Sequence, residues 1–277
     1  MITKCLFPVA GYGTRFLPAT KSMPKEMLPV VNKPLVQYGV EEAIEAGMVN
    51  CALVTGRGKR AIADHFDTSY ELEHQIAGSE KEQYLESIRD VIDRGVFTMV
   101  RQRAMLGLGH AILTGEPLIG DQPFGVVLSD DLCLNGSGPG VLAQMAALYE
   151  EFQCSIVAVQ EVPMADIEQY GVVAGAPERE GLTRVTAMVE KPPREEAPSN
   201  LAVIGRYILT PDIFDIIRTT PPGRNGEVQL TDALQVQASQ GRVLAYQFQG
   251  QRFDCGSVPG FVEATQHVYE HYYGRDQ

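Results

Sequence analysis

Short apolar runs alternate with helix-forming stretches through the first 160 residues, and that alternation restricts the possible fold more than any other feature. Residues 3–9, 51–55, 96–100, 124–128 and 155–159 read as strands. Their near-continuous apolar character is that of strands covered on both faces. Between them, residues 35–46, 57–66, about 80–93, 108–115 and 139–152 read as helices; the first begins after Pro34, and Gly47 suits its end. This order implies βαβ units and a mostly parallel sheet. Beyond residue 160 the spacing changes. Runs at 171–174, 182–189 and 201–209 lie too close together for crossover helices, so additional, partly antiparallel strands are expected there. Helices at 211–218 and 227–239, a strand at 243–248 and a helix from about 258 to 272 complete the chain.

The first strand runs into Ala10-Gly11-Tyr12-Gly13-Thr14-Arg15-Phe16-Leu17-Pro18, and Pro24-Lys25-Glu26-Met27-Leu28-Pro29 follows. Glycines let a backbone approach a ligand closely, and successive N–H groups in such a loop form an anion-binding concavity. Arg15, Lys21 and Lys25 add cationic donors suited to phosphate. The loop reads as a triphosphate cradle. It is not a dinucleotide fingerprint, because Phe16 stands where the third glycine belongs and Pro18 and Pro24 interrupt a following helix. A Walker A loop is absent too: Gly58-Lys59 is followed by Arg60, with Leu53 in place of the first glycine.

Composition excludes other classes. The formal charge of −12 argues against nonspecific nucleic-acid binding, which depends on cations neutralising phosphates. No run approaches the roughly 18 apolar residues that a spanning helix needs, and the N-terminus carries no signal-peptide pattern. Five cysteines without metal-ligand spacing are expected to be reduced thiols in a cytoplasmic protein. His267-Val268-Tyr269-Glu270-His271 matches a zinc-peptidase spacing, but it reads as an exposed helix face close to the last residue.

Several further segments join the opening loop in a pattern that resembles the sugar-1-phosphate nucleotidylyltransferases. They are residues 64–73, Val100-Arg101-Gln102, Gly107-Leu108-Gly109-His110-Ala111, Leu128-Ser129-Asp130-Asp131, Tyr170-Gly171-Val172-Val173, Glu190-Lys191-Pro192, Gly223-Arg224-Asn225-Gly226-Glu227 and Phe253-Asp254-Cys255-Gly256. The resemblance implies an α/β, Rossmann-like fold with a mostly parallel mixed sheet flanked by helices, and extra strands on the sugar side. It also implies one domain over 1–277: about 1–160 for the nucleotide, about 161–277 for the sugar and for oligomerisation.

The candidate residues fall where such sheets bind ligands, beyond the carboxyl ends of strands. Arg101-Gln102 follows the third strand and Asp130-Asp131 the fourth. Mg²⁺ prefers hard oxygens, commonly one or two carboxylates plus substrate phosphates. The strand–Asp pattern alone leaves open whether Asp130 holds a metal or caps a turn. The resemblance assigns Mg²⁺ to Asp130 and Asp254 and leaves Asp131 unassigned. An amide that donates and accepts suits Gln102 to a pyrimidine edge, although a polar strand end is the plainer reading of the residue by itself. The resemblance places uracil against Gln102 and Gly107, sets Ala10, Gly11, Gly13, Thr14 and Glu26 around the nucleotide, and gives Gly171, Glu190 and Lys191 to the sugar phosphate. Arg15, Lys25 and Lys191 are the expected catalytic cations.

The implied reaction joins UTP and glucose 1-phosphate to give UDP-glucose and pyrophosphate. The same chemistry on another base, as in thymidylyl transfer, is the nearest alternative; residues 64–73 and the run from Lys25 to Pro29 favour uridylyl. A catalytically silent nucleotide-sugar sensor is the alternative of a different class, opposed by the joint presence of Arg15, Lys25, Asp130, Lys191 and Asp254. Phe261, Val262, Val268, Tyr269, Tyr272 and Tyr273 give the last helix more apolar surface than a lone helix needs. A homodimer, or a tetramer of dimers, is expected.

Overall fold

The computed structural model describes residues 1–223 and 226–273. In chain order the strands and helices are β1 (Lys4–Pro8), β2 (Pro29–Val30), β3 (Lys33–Pro34), α1 (Leu35–Glu45), β4 (Asn50–Thr55), α2 (Arg60–His65), α3 (Tyr70–Ile76), α4 (Glu86–Arg94), β5 (Val96–Arg101), α5 (Leu108–Ile119) and β6 (Phe124–Val127). They continue with β7 (Asp131–Leu134), α6 (Val141–Phe152), β8 (Ser155–Glu161), β9 (Gly171–Arg179), β10 (Leu182–Glu190), β11 (Leu201–Leu209), α7 (Ile213–Thr219), α8 (Leu230–Ser239), β12 (Val243–Gln247), β13 (Gln251–Asp254) and α9 (Val258–Val268).

Among the described residues, nine strands form one sheet in the order β5-β4-β1-β6-β11-β8-β12-β10-β9. The first four are parallel. The other half is mostly antiparallel, with β8 and β12 the parallel pair inside it. The expected change of topology after residue 160 is therefore observed, and the seam lies between β6 and β11, which run antiparallel.

Alternation along the buried strands builds a core on each face. Cys5 and Phe7 of β1 and Cys51 and Leu53 of β4 point into one cluster, under Val36 and Val40 of α1 and Leu142 and Met145 of α6. Leu6, Ala52 and Val54 point the other way, against Ile112 of α5, Phe214 of α7 and Leu234 of α8. A third, smaller cluster joins Leu132, Phe253, Ala264 and Val268 beneath α9.

The differences from expectation are local. Helix α5 continues through Pro117 to Ile119 rather than ending at 115. Pro117 lies in its last turn, and Gly120, at φ 66°, closes the helix by donating to the Glu116 carbonyl. The short ribbon of β7 and β13 was hidden because each strand has only four residues; register pairs Asp254 with Asp131. Val268 and Phe261 belong to the protein's own packing: Val268 is buried, and the Phe261 ring meets Phe16 edge-on at 5.6 Å. Val262, Tyr269 and Tyr272 remain exposed. Among the described residues no helix is long and apolar enough to cross a membrane, and all five cysteines are free.

Candidate active site

A cleft of about 320 Å³ opens along the seam of the sheet, with Arg15, Asp130, Gly171, Glu190, Lys191 and Asp254 all on its wall. A shallower recess lined by Ala10, Gly11, Gln102 and Gly107 adjoins it, and Leu108 and Glu227 belong to both. Residues expected to read the base and residues expected to hold the sugar phosphate thus line two adjoining depressions that share those two residues. Arg224 and Asn225, within the motif that ends at Glu227, lie outside the described residues.

The recess is set by the turn before α5. Gly107 has φ 93°, and a Cβ there would stand 2.8 Å from the Val228 carbonyl oxygen. Only glycine permits both the left-handed backbone and that approach. The 228 segment is tied on by Val228 N–H to the Leu106 carbonyl (2.8 Å) and Gly109 N–H to the Val228 carbonyl (2.9 Å). Gln102 is buried, and its amide nitrogen donates to Nδ1 of His110 at 2.8 Å and toward the Gly107 carbonyl at 3.4 Å. With the nitrogen held, the amide oxygen is left as the free acceptor of a residue that lines the recess. No role for His110 follows from the sequence; in the fold it orients the Gln102 amide.

In the opening loop, Gly13 takes φ 66° and leads into a single turn over Thr14–Phe16. The Gly13 carbonyl accepts from Thr20 Oγ1 at 2.7 Å. Gly13 and Thr14 lie outside the walls of both depressions. Lys25 reaches the cleft through Asp130, with Nζ 2.6 Å from Oδ2. Burial alone would draw its ammonium down, but the charges of Asp130 and Glu26 outweigh that and hold its pKa above the ordinary lysine range. Burial likewise opposes charge on Asp130, yet Lys25 keeps that carboxyl below its usual range. Both groups are therefore ionised at neutral pH. Glu26 is not on either wall: it is buried and bound to Nζ of Lys59 at 2.7 Å, so it joins the opening loop to the loop after β4.

Asp130 and Asp254 come together from distant parts of the chain. A Cβ on Gly256 would lie 3.0 Å from Asp254 Oδ1, 3.2 Å from Asp130 Oδ2 and 3.5 Å from Arg15 Nη1. The two carboxylates share a small cradle that any side chain at position 256 would fill. Two hard oxygen donors beside a phosphate-sized cleft fit Mg²⁺, which completes its shell with substrate oxygens and water. Among the described residues no three His, Cys, Asp or Glu side chains converge, so a self-sufficient protein cage is not what this donor set resembles. The zinc-peptidase spacing does not assemble either: the His267 and His271 rings stack at 4.0 Å, and His271 Nδ1 donates to the His267 carbonyl at 2.9 Å.

Asp131, left open by the sequence, has its oxygens occupied. Oδ1 accepts from Arg252 Nε at 2.5 Å and Oδ2 from the Gly205 N–H at 2.8 Å. It lines the cleft as the partner of Arg252 and of the Gly205 backbone. Across the site, Glu190 Oε2 accepts from Thr231 Oγ1 at 2.7 Å, and Lys191 Nζ lies 3.5 Å from Glu190 Oε1. Lys191 takes φ 45°, an unusual conformation for a residue with a side chain, and its N–H donates to the Tyr170 carbonyl at 3.0 Å. A Cβ on Gly171 would stand 3.0 Å from Thr231 Oγ1 and 3.2 Å from Glu190 Oε2. Thr231 and Arg252 were not singled out in the sequence, and no local pattern marks either.

Comparison with known proteins agrees with this fold. The nucleotidyl transferase family matches residues 8–271. A UTP–glucose-1-phosphate uridylyltransferase of Pseudomonas aeruginosa is 66% identical over 273 residues, 99% of this chain and 98% of that protein. Among solved structures, an apo UDP-glucose pyrophosphorylase superposes with a TM-score of 0.95 at 60% identity, covering 98% of this chain and 99% of that one. A UDP-glucose pyrophosphorylase complexed with UDP-glucose gives 0.91 at 58% identity, with the same coverage. A family match over nearly the whole length, with its motif residues gathered around one cleft, means that this chain belongs to the nucleotidyl transferase family.

Proposed function

We propose that this chain transfers the uridylyl group of UTP to α-D-glucose 1-phosphate, forming UDP-glucose and pyrophosphate. The observation that carries the reading is that the recess around Gln102 adjoins the cleft that holds Arg15, Asp130, Asp254 and Lys191, with Leu108 and Glu227 on both walls. A nucleotide lying along the two would have its base at Gln102 and its phosphates at the carboxylate pair. Relatives and solved structures named for this activity and its product support it.

In this reading a phosphate oxygen of glucose 1-phosphate attacks the α-phosphorus of UTP in line. A new P–O bond forms as the bond from the α-phosphorus to the bridging oxygen breaks, and that electron pair leaves on pyrophosphate. The second pKa of a phosphate monoester is about 6, so the nucleophile is already mostly dianionic at neutral pH and needs no general base. The protein's task is positioning and charge stabilisation. Gln102 would receive the uracil N3–H on its amide oxygen, with Ala10 and Gly11 beneath the nucleoside. Arg15 and Lys25 would face the triphosphate, Lys25 most of all as charge moves toward the leaving group. Glu190 would accept from sugar hydroxyls and Lys191 would hold the attacking phosphate. Mg²⁺ would be held by Asp130 and Asp254, and its chemistry when bound is neutralisation of phosphate charge. No covalent enzyme intermediate is needed.

We also infer a cytoplasmic setting, a division of labour near residue 160, and a homodimer or a tetramer of dimers involving exposed Val262, Tyr269 and Tyr272. Sedimentation of only monomer at micromolar concentration would count against the assembly. For the activity, a pyrophosphate-release screen of five nucleoside triphosphates against several sugar 1-phosphates is the test. UTP with glucose 1-phosphate should lead clearly; preference for dTTP, or no release with any pair, would overturn the reading.

A further inference from the structure

We propose that Arg252 is a positioning residue that locks the carboxylate pair and the sugar-phosphate loop to each other, so that the metal and glucose 1-phosphate are bound through one joint. The proposal rests on the functional reading above and adds a residue to it.

Three groups meet the Arg252 guanidinium. Nε and Nη2 both lie 2.5 Å from Asp131 Oδ1. Nη1 donates to the Tyr170 hydroxyl at 3.1 Å, and the guanidinium stands 5.3 Å from the centroid of the Tyr170 ring. Nη2 is 3.9 Å from Asp254 Oδ1. The side chain is only 10% exposed, yet it lines the cleft.

Each contact leads to a different part of the site. Asp131 directly follows Asp130, and its other oxygen is fixed by the Gly205 backbone at the seam. Asp254 lies two residues after Arg252 on the same strand, so their side chains share a face. Tyr170 precedes Gly171, and its carbonyl accepts the N–H of Lys191 in that residue's left-handed conformation. Arg252 therefore touches the neighbour of one candidate metal ligand, stands 3.9 Å from the other, and holds the residue whose carbonyl fixes the turn at Lys191. A guanidinium is suited to this because its nitrogens are fixed in one plane and point in different directions. An ammonium can neutralise Asp131 but cannot at the same time span to Tyr170 and stack on its ring.

The test uses the full chain and three variants, Arg252→Gln, Arg252→Lys and Tyr170→Phe. Mn²⁺ binding is followed by electron paramagnetic resonance in the presence of an unreactive UTP analogue. Glucose 1-phosphate binding is followed by calorimetry under the same conditions, and thermal melting reports folding. Loss of a hydrogen bond to a charged group changes an equilibrium by about tenfold. Arg252→Gln is expected to weaken both Mn²⁺ and glucose 1-phosphate about tenfold. Arg252→Lys should recover most of the Mn²⁺ binding while leaving glucose 1-phosphate weak. Tyr170→Phe keeps the ring and breaks only one arm, so it should weaken glucose 1-phosphate several-fold and leave Mn²⁺ unchanged. A purely structural role would lower the melting temperature and leave both affinities of the folded protein intact; that result would overturn the proposal. If Arg252→Gln does not fold, unchanged glucose 1-phosphate binding in Tyr170→Phe overturns it alone. These readouts need no turnover. A wild-type chain inactive with UTP would defeat the assigned reaction, whereas a bound metal and sugar phosphate indifferent to Arg252 would defeat only this joint.

Discussion

The two sides of the cleft are built by different means. At the base end of the nucleotide side, the residue that follows a parallel strand is oriented by partners close in sequence. Gln102 is oriented by Gly107 and His110, five and eight residues away. On the sugar side, the partners are far apart in sequence: Glu190 and Thr231 are separated by 41 residues, Arg252 and Tyr170 by 82, and Arg252 and Asp131 by 121. Around the base the partners are close in sequence, whereas on the sugar side side chains are held by side chains from distant segments. Disturbing the first should alter recognition of one ligand. Disturbing the second at a shared partner such as Arg252 should propagate.

The seam between them gives the largest expected effect. Arg206 of β11 is buried and donates through Nε and Nη2 to Glu42 Oε2 at 3.0 and 2.9 Å, while its Nη1 holds the Gly205 and Leu128 carbonyls. Glu42 Oε1 accepts the Leu142 N–H in the first turn of α6. Glu42→Ala strands a buried guanidinium, which costs about 3–5 kcal/mol. Chemical denaturation should show that loss, and the remaining folded enzyme should keep its affinity for UTP. A change below about 1 kcal/mol would mean that the two halves do not depend on this pair.

Next in size is the metal. Asp130→Asn or Asp254→Asn should reduce turnover on the order of a thousandfold, the equivalent of the several kcal/mol that a bound metal contributes to charge stabilisation. EDTA should abolish wild-type activity and added Mg²⁺ should restore it. Full activity in excess EDTA would remove the metal from the account and leave the carboxylates as partners of Lys25 and Arg252 only. Smaller still, Gln102→Ala should weaken UTP by about 1–3 kcal/mol and leave glucose 1-phosphate almost untouched. Equal weakening of both ligands would show that the two sides are not separable in this way.

The same contrast explains what could be read from the sequence. The opening loop, Gln102 at a strand end and Asp130 after β6 were legible because a buried strand is a contiguous apolar run and its ligand-facing residues come just after it. The change of topology after residue 160 was legible from spacing alone. Asp131 was not, because its role depends on Arg252, and the four-residue ribbon that unites them leaves no periodic trace. Thr231 sits in an ordinary helix start, and Lys59 in an ordinary basic loop; only the fold brings them to Glu190 and Glu26. Conversely, Val268 and Phe261 carried an apolar signal that the chain uses for its own packing.

In the proposed reaction two ligands rest on two separately built walls, and the two lysines divide between them. Lys25, bound to Asp130, should act mainly on the chemical step, so Lys25→Ala should lower kcat more than it weakens either substrate. Lys191, beside Glu190, should hold the attacking phosphate. The most direct measurement is calorimetric titration of glucose 1-phosphate into Lys191→Ala saturated with an unreactive UTP analogue. Affinity for glucose 1-phosphate should fall by about tenfold or more, the size expected for losing a charged contact to phosphate, while affinity for the analogue stays near that of the wild type. Normal glucose 1-phosphate binding in that variant, or a matching loss of the UTP analogue, would contradict the division.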